Sequence, residues 1–345
     1  MRESTVQVTR ERIVAATPER AWSLLDDSAA WSLRPGSFAF DVPEPLLPET
    51  GPLRCFLAPG FLSRAGADMT WGVLEVWKEV PGRLITVQTR SSRPVGRQIF
   101  TLSVLPVDRG SIIRVSVWHT VPRSQQSDTR AYWRQQIRAW ADGLKGVLEG
   151  RQPWPEPGIP PTLRRACAAH PLLKSPETVT AAVIVHAPLD LVWEAVYEPG
   201  SIAGLDNPDG FIFGGRIPGT PERQAGEMQY SIRRHADGRL TARALQVREL
   251  AHRRSALVQD TCTTWWEGHH QVTPVDGGIR LELTTRWPAT APRATGRQLH
   301  SRLAENVQRT ADQYKAAIEW AARAPAGRHG RPQRGVSGAG ARSPA

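Results

Sequence analysis

Three places in the sequence hold side chains able to do chemistry. His269 and His270 stand together in Trp266-Glu267-Gly268-His269-His270, and Asp260 lies seven residues ahead of Glu267. Two carboxylates on neighbouring strands suit acid–base work, although an isolated Asp or Glu on a strand more often faces water. A histidine titrating near neutrality orients a carbonyl or carries a proton. His119 ends the alternating run Ile113-Arg114-Val115-Ser116-Val117-Trp118-His119. Cys55, Cys167 and Cys262 lie roughly a hundred residues apart, which fits no zinc knuckle, redox pair or disulfide framework. Each reads as a small buried hydrophobe or a loop thiol. Neighbouring strand residues point to opposite faces, so His269 and His270 do not chelate one ion together. With no P-loop, G-x-S-x-G, H-E-x-x-H or G-x-G-x-x-G present, neither a metal nor a cofactor is expected.

Alternation assigns faces to these residues. Ile279, Leu281, Leu283 and Trp287 alternate with Arg280, Glu282, Thr284 and Arg286, which turns the apolar set inward. In a matching register Trp266, His270 and Val272 also face inward, while Trp265, His269 and Gln271 face solvent. His270 is then either a working group in a pocket or a hydrogen-bonded core histidine. In the first half Val115, Val117 and His119 share a face that Gln98, Phe100, Leu102 and Val104 extend, with Arg90 pointing in from a neighbouring strand. His119 is there a polar handle at a pocket mouth or a strand-end histidine touching solvent. No catalytic residue is assigned beyond the weak candidates His270 and His119.

The elements that carry these residues occur twice. Residues 12–27 and 182–197 both read as a β-branched run, a small residue, a proline and a short amphipathic helix with a tryptophan: Pro18 and Trp22, then Pro188 and Trp193. Thr17 ahead of Pro18 caps such a helix. Alternating runs follow at 71–80, 84–91, 98–105 and 111–121, and again at 227–234, 240–249, 255–262, 265–273 and 279–287, separated by turn residues. A long helix closes each set. One runs from about Ser127 to Glu149 with Trp133, Ile137, Trp140 and Leu144 on one stripe; the other begins near Thr295 and carries Leu299, Leu303, Val307, Tyr314 and Ile318. Trp133 and Trp140 are first of all core. Where a helix roofs a curved sheet, that stripe also roofs any cavity. Residues 41–60 hold five prolines, which disfavours regular strands there and points to the second half as the working cavity.

Length and charge bound the rest. A chain of 345 residues predicts two domains. No run of 18 apolar residues and no signal-peptide pattern occurs, so the expected compartment is the cytoplasm. The net charge is +11, from 40 Arg and 4 Lys against 33 acidic residues. Arginines and acids are interspersed rather than gathered on a stripe, so specific nucleic-acid binding is not indicated. Residues 151–176 hold seven prolines and read as a stiff spacer outside any core, with a short helix available at 163–173. Beyond Ala324 the chain is mostly Gly, Pro, Ala, Ser and Arg with no acidic residue, too poor in hydrophobes to fold. This tail and the proline segment are the places for a protein partner.

Both halves resemble the START / Bet v 1-like superfamily, also called SRPBCC, which includes the polyketide cyclase/dehydrase group. The resemblance rests on the opening strand with Pro and Trp (Thr17 to Trp22, Ala187 to Trp193), on the late hairpin from Trp266 to Leu283, and on the long last helix. It implies an α+β protein of two tandem helix-grip domains, each a curved antiparallel sheet wrapped around a long C-terminal helix. The units fall at 1–150 and 177–323, with a linker at 151–176 and a basic tail at 324–345. It further implies a cavity for a hydrophobic small molecule, lipid or polyketide-like. In the second half Trp266, His270, Leu281, Leu283 and Val307 would line it; in the first, Phe100, Val115, Val117, His119, Ile137 and Trp140. The alternative is a didomain polyketide aromatase/cyclase acting on a poly-β-ketone. Such cyclases usually carry Trp-Pro after the first helices, where this chain has Trp31-Ser32 and Ile202-Ala203.

Overall fold

The computed structural model describes residues 3–43, 52–59, 69–89, 97–167, 172–198, 211–235, 238–261, 266–288 and 293–323. Cys262, Trp265, Arg90, Ile202, Ala203 and the tail beyond 323 lie outside them.

The first half runs β1 (Glu3–Val14), α1 (Pro18–Asp26), β2 (Phe38–Asp41), β3 (Leu53–Pro59), β4 (Met69–Val80), β5 (Leu84–Thr89), β6 (Gln98–Val107), β7 (Gly110–Pro122) and α2 (Gln126–Leu148). After α3 (Pro161–Cys167) the second half runs β8 (Glu177–Val185), α4 (Leu189–Tyr197), β9 (Phe211–Arg216), β10 (Met228–Arg234), β11 (Leu240–Ala251), β12 (Ser255–Asp260), β13 (Glu267–Val275), β14 (Gly278–Trp287) and α5 (Arg293–Arg323). The sheets are ordered β1-β7-β6-β5-β4-β3-β2 and β8-β14-β13-β12-β11-β10-β9, the same permutation twice. Within each, neighbouring strands are antiparallel. The tandem repeat is thus a repeat of topology, and each copy is a helix-grip unit.

Local devices recur with the topology. The register slips between Val76 and Lys78 on β4 and between Val247 and Glu249 on the equivalent β11. A bulge at that place bends the strand and wraps the sheet around its helix. Gly110 and Gly278 begin β7 and β14, where a Cβ would stand 2.1 Å from the carbonyl oxygen of Val14 and 2.7 Å from that of Val185. Only glycine lets the last strand close on the first. Thr17 caps α1, accepting the Arg20 N–H at 3.3 Å. α2 lies along β1 and β7, burying Trp133, Ile137, Trp140, Leu144 and Val147; α5 lies along β8 and β14, burying Val307, Ala311 and Ile318.

The proline-rich stretch at 41–60 does form the early hairpin that composition disfavoured. β2 pairs with β3 from Phe38↔Leu57 to Asp41↔Arg54. Pro43 falls just after β2, Pro52 just before β3 and Pro59 on its last residue, so each spares the ladder; Pro45 and Pro48 lie outside the described residues. The hairpin's outer face carries Phe38, Phe40, Cys55 and Leu57, continued by Trp71 and Val73 of β4. These pack on Met228, Tyr230, Ile232 and Ala244 from the outer face of β10 and β11, so the two sheets meet back to back. Phe40 meets Tyr230 edge-on at 4.9 Å, and the Trp71 indole donates to the Thr261 hydroxyl at 3.1 Å. Ile159 is buried in the same cluster with Leu163 against it. Part of the connecting segment is therefore core, which corrects the reading of it as a spacer: Ile159 hydrogen-bonds through its N–H to Pro218 and fills the seam between the sheets.

Candidate functional site

The first interior is filled. Phe100, Trp31, Trp133 and Trp140 are each at most 2% exposed. Their rings meet at 4.7 Å (Trp31–Trp140), 5.2 Å (Trp31–Phe100) and 5.5 Å (Phe100–Trp133). Register confirms the shared face: Gln98↔His119, Phe100↔Val117 and Leu102↔Val115. Val115, Val117, Ile137 and Trp140 are fully buried parts of this packing. His119 also is fully buried, not at a solvent-touching strand end. It accepts the Trp133 indole N–H on Nδ1 at 2.8 Å and has Gln98 3.5 Å from Nε2.

The second interior is built differently. β12–β13 pairs Val258↔Gly268 and Ala256↔His270, and β13–β14 pairs His270↔Leu283 and Val272↔Leu281. Trp266, Gly268, His270 and Val272 therefore share the concave face with Leu281 and Leu283, as alternation predicted. Through Leu245↔Asp260 that face extends to Asp260 and, two residues along β11, to Arg243. Leu281, Leu283 and Val307 are buried, whereas Trp266, His270, Arg243, Leu245, Leu303 and Tyr314 stay only half-buried although they face the helix side. An inward side chain keeps accessible surface when the space before it is unfilled. The buried apolar side chains of α5 are Val307, Ala311 and Ile318, smaller than the Trp133, Ile137 and Trp140 that α2 buries in the first half.

Gly268 shapes this space. A Cβ there would stand 3.0 Å from Trp266 Cζ3, 3.1 Å from Val258 Cγ2 and 3.7 Å from His270 Nε2. Its absence lets the Trp266 ring lie across the strand toward the imidazole. The Trp266 indole N–H is buried without a hydrogen-bond partner, a donor directed at no protein group. Arg243 sits 4.7 Å over the Trp266 ring and pairs with Asp260 at 3.0 Å. Burial, with the like-signed His269 adding to it, pushes His270 down to about 4, so it is neutral at pH 7. Burial raises the Tyr314 phenol, keeping it protonated, and Arg233 opposes that weakly. Burial also lowers Arg243, against the pull of Asp260. The wall thus presents an apolar surface, two neutral proton-bearing groups, an indole donor and one arginine.

Asp260 and Glu267 do not form a carboxylate pair. Asp260 is inward with Arg243, while Glu267 is on the opposite face, 1% exposed, accepting the Leu173 N–H at 2.7 Å and Gln259 Nε2 at 3.4 Å. Sequence reasoning missed Arg243 as part of this wall. Its signal was Arg243 standing in phase with Leu245 and Val247 on a strand otherwise apolar on that side. Cys55 is buried in the seam between the sheets, where burial raises its thiol, and it faces neither interior. Among the described residues no group of three His, Cys, Asp or Glu is placed to hold a metal ion.

The family model described as polyketide cyclase / dehydrase and lipid transport matches residues 5–149. No curated protein is a significant match. Among solved structures, the chain is similar to the di-domain ARO/CYC BexL from the BE-7585A biosynthetic pathway, at 15% identity over 94% of this chain and 100% of that one, with a TM-score of 0.35. It is similar to the di-domain ARO/CYC StfQ from the steffimycin pathway at 14% identity, over 92% of this chain and 99% of that one, also at 0.35. The ZhuI aromatase/cyclase from Streptomyces sp. R1128 is 14% identical over 44% of this chain and 96% of that one, at 0.33. Residues 5–149 are thus similar to the polyketide cyclase/dehydrase and lipid transport family, and the strands and helix from β8 to α5 repeat the strand order and closing helix of that first half.

Proposed function

We propose that the second interior binds a hydrophobic, carbonyl-rich chain of polyketide type and promotes its ring closure and dehydration. The observation that carries this reading is the half-open wall Trp266–Gly268–His270 beside Arg243, in a chain whose first half matches a cyclase/dehydrase family. A carbon between two carbonyls loses a proton to His270. The electron pair forms an enolate whose oxygen develops negative charge near Arg243. The enolate carbon attacks a second carbonyl, the proton returns from the imidazolium to the new alkoxide, and loss of water completes the ring. His270, neutral at rest and a strong acid once protonated, returns its proton readily. Tyr314 and the Trp266 N–H orient carbonyl oxygens. Among the described residues no helix is long and apolar enough to cross a membrane, and the proposal sets the reaction in the cytoplasm.

A second reading, binding without turnover, is favoured by the apolar majority of that wall: Leu281, Leu283, Val307 and Leu245. A ligand burying about 300 Å² of apolar surface would gain on the order of 7 kcal/mol before the costs of association, enough for capture without catalysis. One experiment separates the two. The protein is mixed with an aryl 1,3-diketone in D2O, and NMR follows both line broadening and deuterium uptake at the central carbon. Accelerated uptake that His270→Leu abolishes while broadening persists supports the cyclase reading. Broadening without accelerated uptake supports the carrier reading, and neither effect removes both.

A further inference from the structure

The wall of the second interior continues past Arg243 to another cation. In the β10–β11 ladder Ser231 stands opposite Arg243, and Arg233 opposite Thr241. Directly opposed strand residues share a face, so Arg233 lies on the same side of the sheet as Arg243 and Leu245. The two arginines are diagonal neighbours, about 7–8 Å apart at the backbone and within reach of one another's side chains. Their charges register the proximity. Burial first, and then the like charge of Arg233, lowers the Arg243 pKa against the pull of Asp260. Arg233 also opposes the burial that raises Tyr314 on α5, which places its charge on the helix side of the sheet.

The two arginines differ in what holds them. Arg243 Nε pairs with Asp260 Oδ2 at 3.0 Å, and its side chain is still 38% exposed. Arg233 is exposed, and among the described residues no carboxylate pairs with it. Two guanidinium charges therefore meet one carboxylate at this corner, an excess of one positive charge. A carboxylate, a monoanion at neutral pH, balances that excess where a phosphate dianion would exceed it, and its two oxygens match the planar guanidinium fork. Both arginines being accessible, such a group approaches from solvent without displacing packed side chains. Beyond them the Trp266 ring leads inward: Arg243 lies 4.7 Å over that ring, and the Cβ position of Gly268 is 3.0 Å from Trp266 Cζ3 and 3.7 Å from His270 Nε2.

We infer that the ligand of the second interior is an acid, whose carboxylate is held at Arg233 beside Arg243 and whose chain runs over Trp266 toward His270. The inference rests on the reading of that interior as a ligand space, and it adds the charge of the occupant and the direction in which it lies.

Decanoate and 1-decanol are the probes, one chain length with and without the charge, titrated into the full chain at pH 7 and low ionic strength and followed by calorimetry. The parent is expected to bind decanoate about fivefold more tightly, the upper range for one exposed ion pair. Arg233→Gln should bring that ratio below twofold, and so should molar sodium chloride. Arg234→Gln makes the same charge change on the next residue, which pairs with Leu240 on the seam side of the sheet, and should leave the ratio as in the parent. Equal affinity for the two probes in the parent, a preference that survives in Arg233→Gln, or decyl phosphate binding more tightly than decanoate overturns the inference and leaves the ligand space standing. Failure of every probe to bind removes the ligand space, and the inference with it.

Discussion

His119 accepts the indole N–H of Trp133 at 2.8 Å, and that bond occupies the one lone pair a neutral Nε2–H imidazole has. Nδ1 is therefore the unprotonated nitrogen and Nε2 carries the hydrogen, with the Gln98 side-chain nitrogen 3.5 Å from it. His119 and His270 thus differ in kind although both sit on the inward face of a central strand. One is fully buried in a network; the other keeps accessible surface.

That network makes a stability prediction. His119→Leu leaves the Trp133 N–H buried without an acceptor, at a cost of about 1–3 kcal/mol. Trp133→Phe removes the donor but also part of the ring packing with Phe100. In urea unfolding the double variant should lose less than the sum of the singles, a coupling that identifies the bond itself. Strict additivity would mean that the bond contributes nothing.

His270 makes a pH prediction whose sign follows from linkage. Its folded pKa is about 4, below the ordinary 6.5. Above pH 6.5 both states are neutral there and the residue adds no pH dependence. As pH falls from 6.5 toward 4 the unfolded chain takes up a proton that the folded chain refuses, so stability drops, by at most on the order of 3 kcal/mol. Unfolding free energies at pH 7 and 4.5 should therefore diverge in the parent and converge in His270→Leu. An equal drop in both would mean that the imidazole titrates normally in the folded protein.

Much of this was legible before any coordinates. Strand alternation placed Trp266, His270 and Val272 on the face of Leu281 and Leu283, and His119 with Val115 and Val117, because a two-residue period leaves no other choice on a sheet with one buried side. The proline-bordered hairpin was missed because composition weighs five prolines equally, whereas a strand tolerates them at its ends. Packing between the sheets was illegible for a related reason: Phe38, Phe40, Tyr230 and Ile232 alternate with inward residues, and alternation cannot distinguish an outer face bound for another sheet from one bound for solvent. Nor did the sequence signal that Arg34 is buried beside Phe100 and Trp133. It follows Trp31-Ser32-Leu33 without periodicity, and its burial depends on two elements, β6 and α2, far along the chain.

The seam between the sheets predicts a shared unfolding. Phe40 and Tyr230, in edge contact at 4.9 Å, bind β2 to β10. Phe40→Ala should cost about 3–5 kcal/mol and, being at the seam, should uncouple the halves. Calorimetry of the parent is expected to show one transition and of the variant two, the second-half transition persisting near its original temperature. Two transitions in the parent would show that the seam does not couple the units.

Gly268 offers the most local test of the open wall. A valine there puts carbon where Trp266 Cζ3 and Val258 Cγ2 already stand 3.0 and 3.1 Å from the Cβ position, so the indole must swing away from His270 into the space before it. Overpacking of this sort costs about 1–3 kcal/mol. Because the neighbouring volume is open, the lower end is expected. Binding of the fluorescent probe 1-anilinonaphthalene-8-sulfonate to the folded protein should fall at least tenfold in Gly268→Val, while Leu144→Val in the first core changes it little. Undiminished probe binding in Gly268→Val would place the ligand space away from Trp266 and His270, and would remove the wall on which the cyclase reading stands.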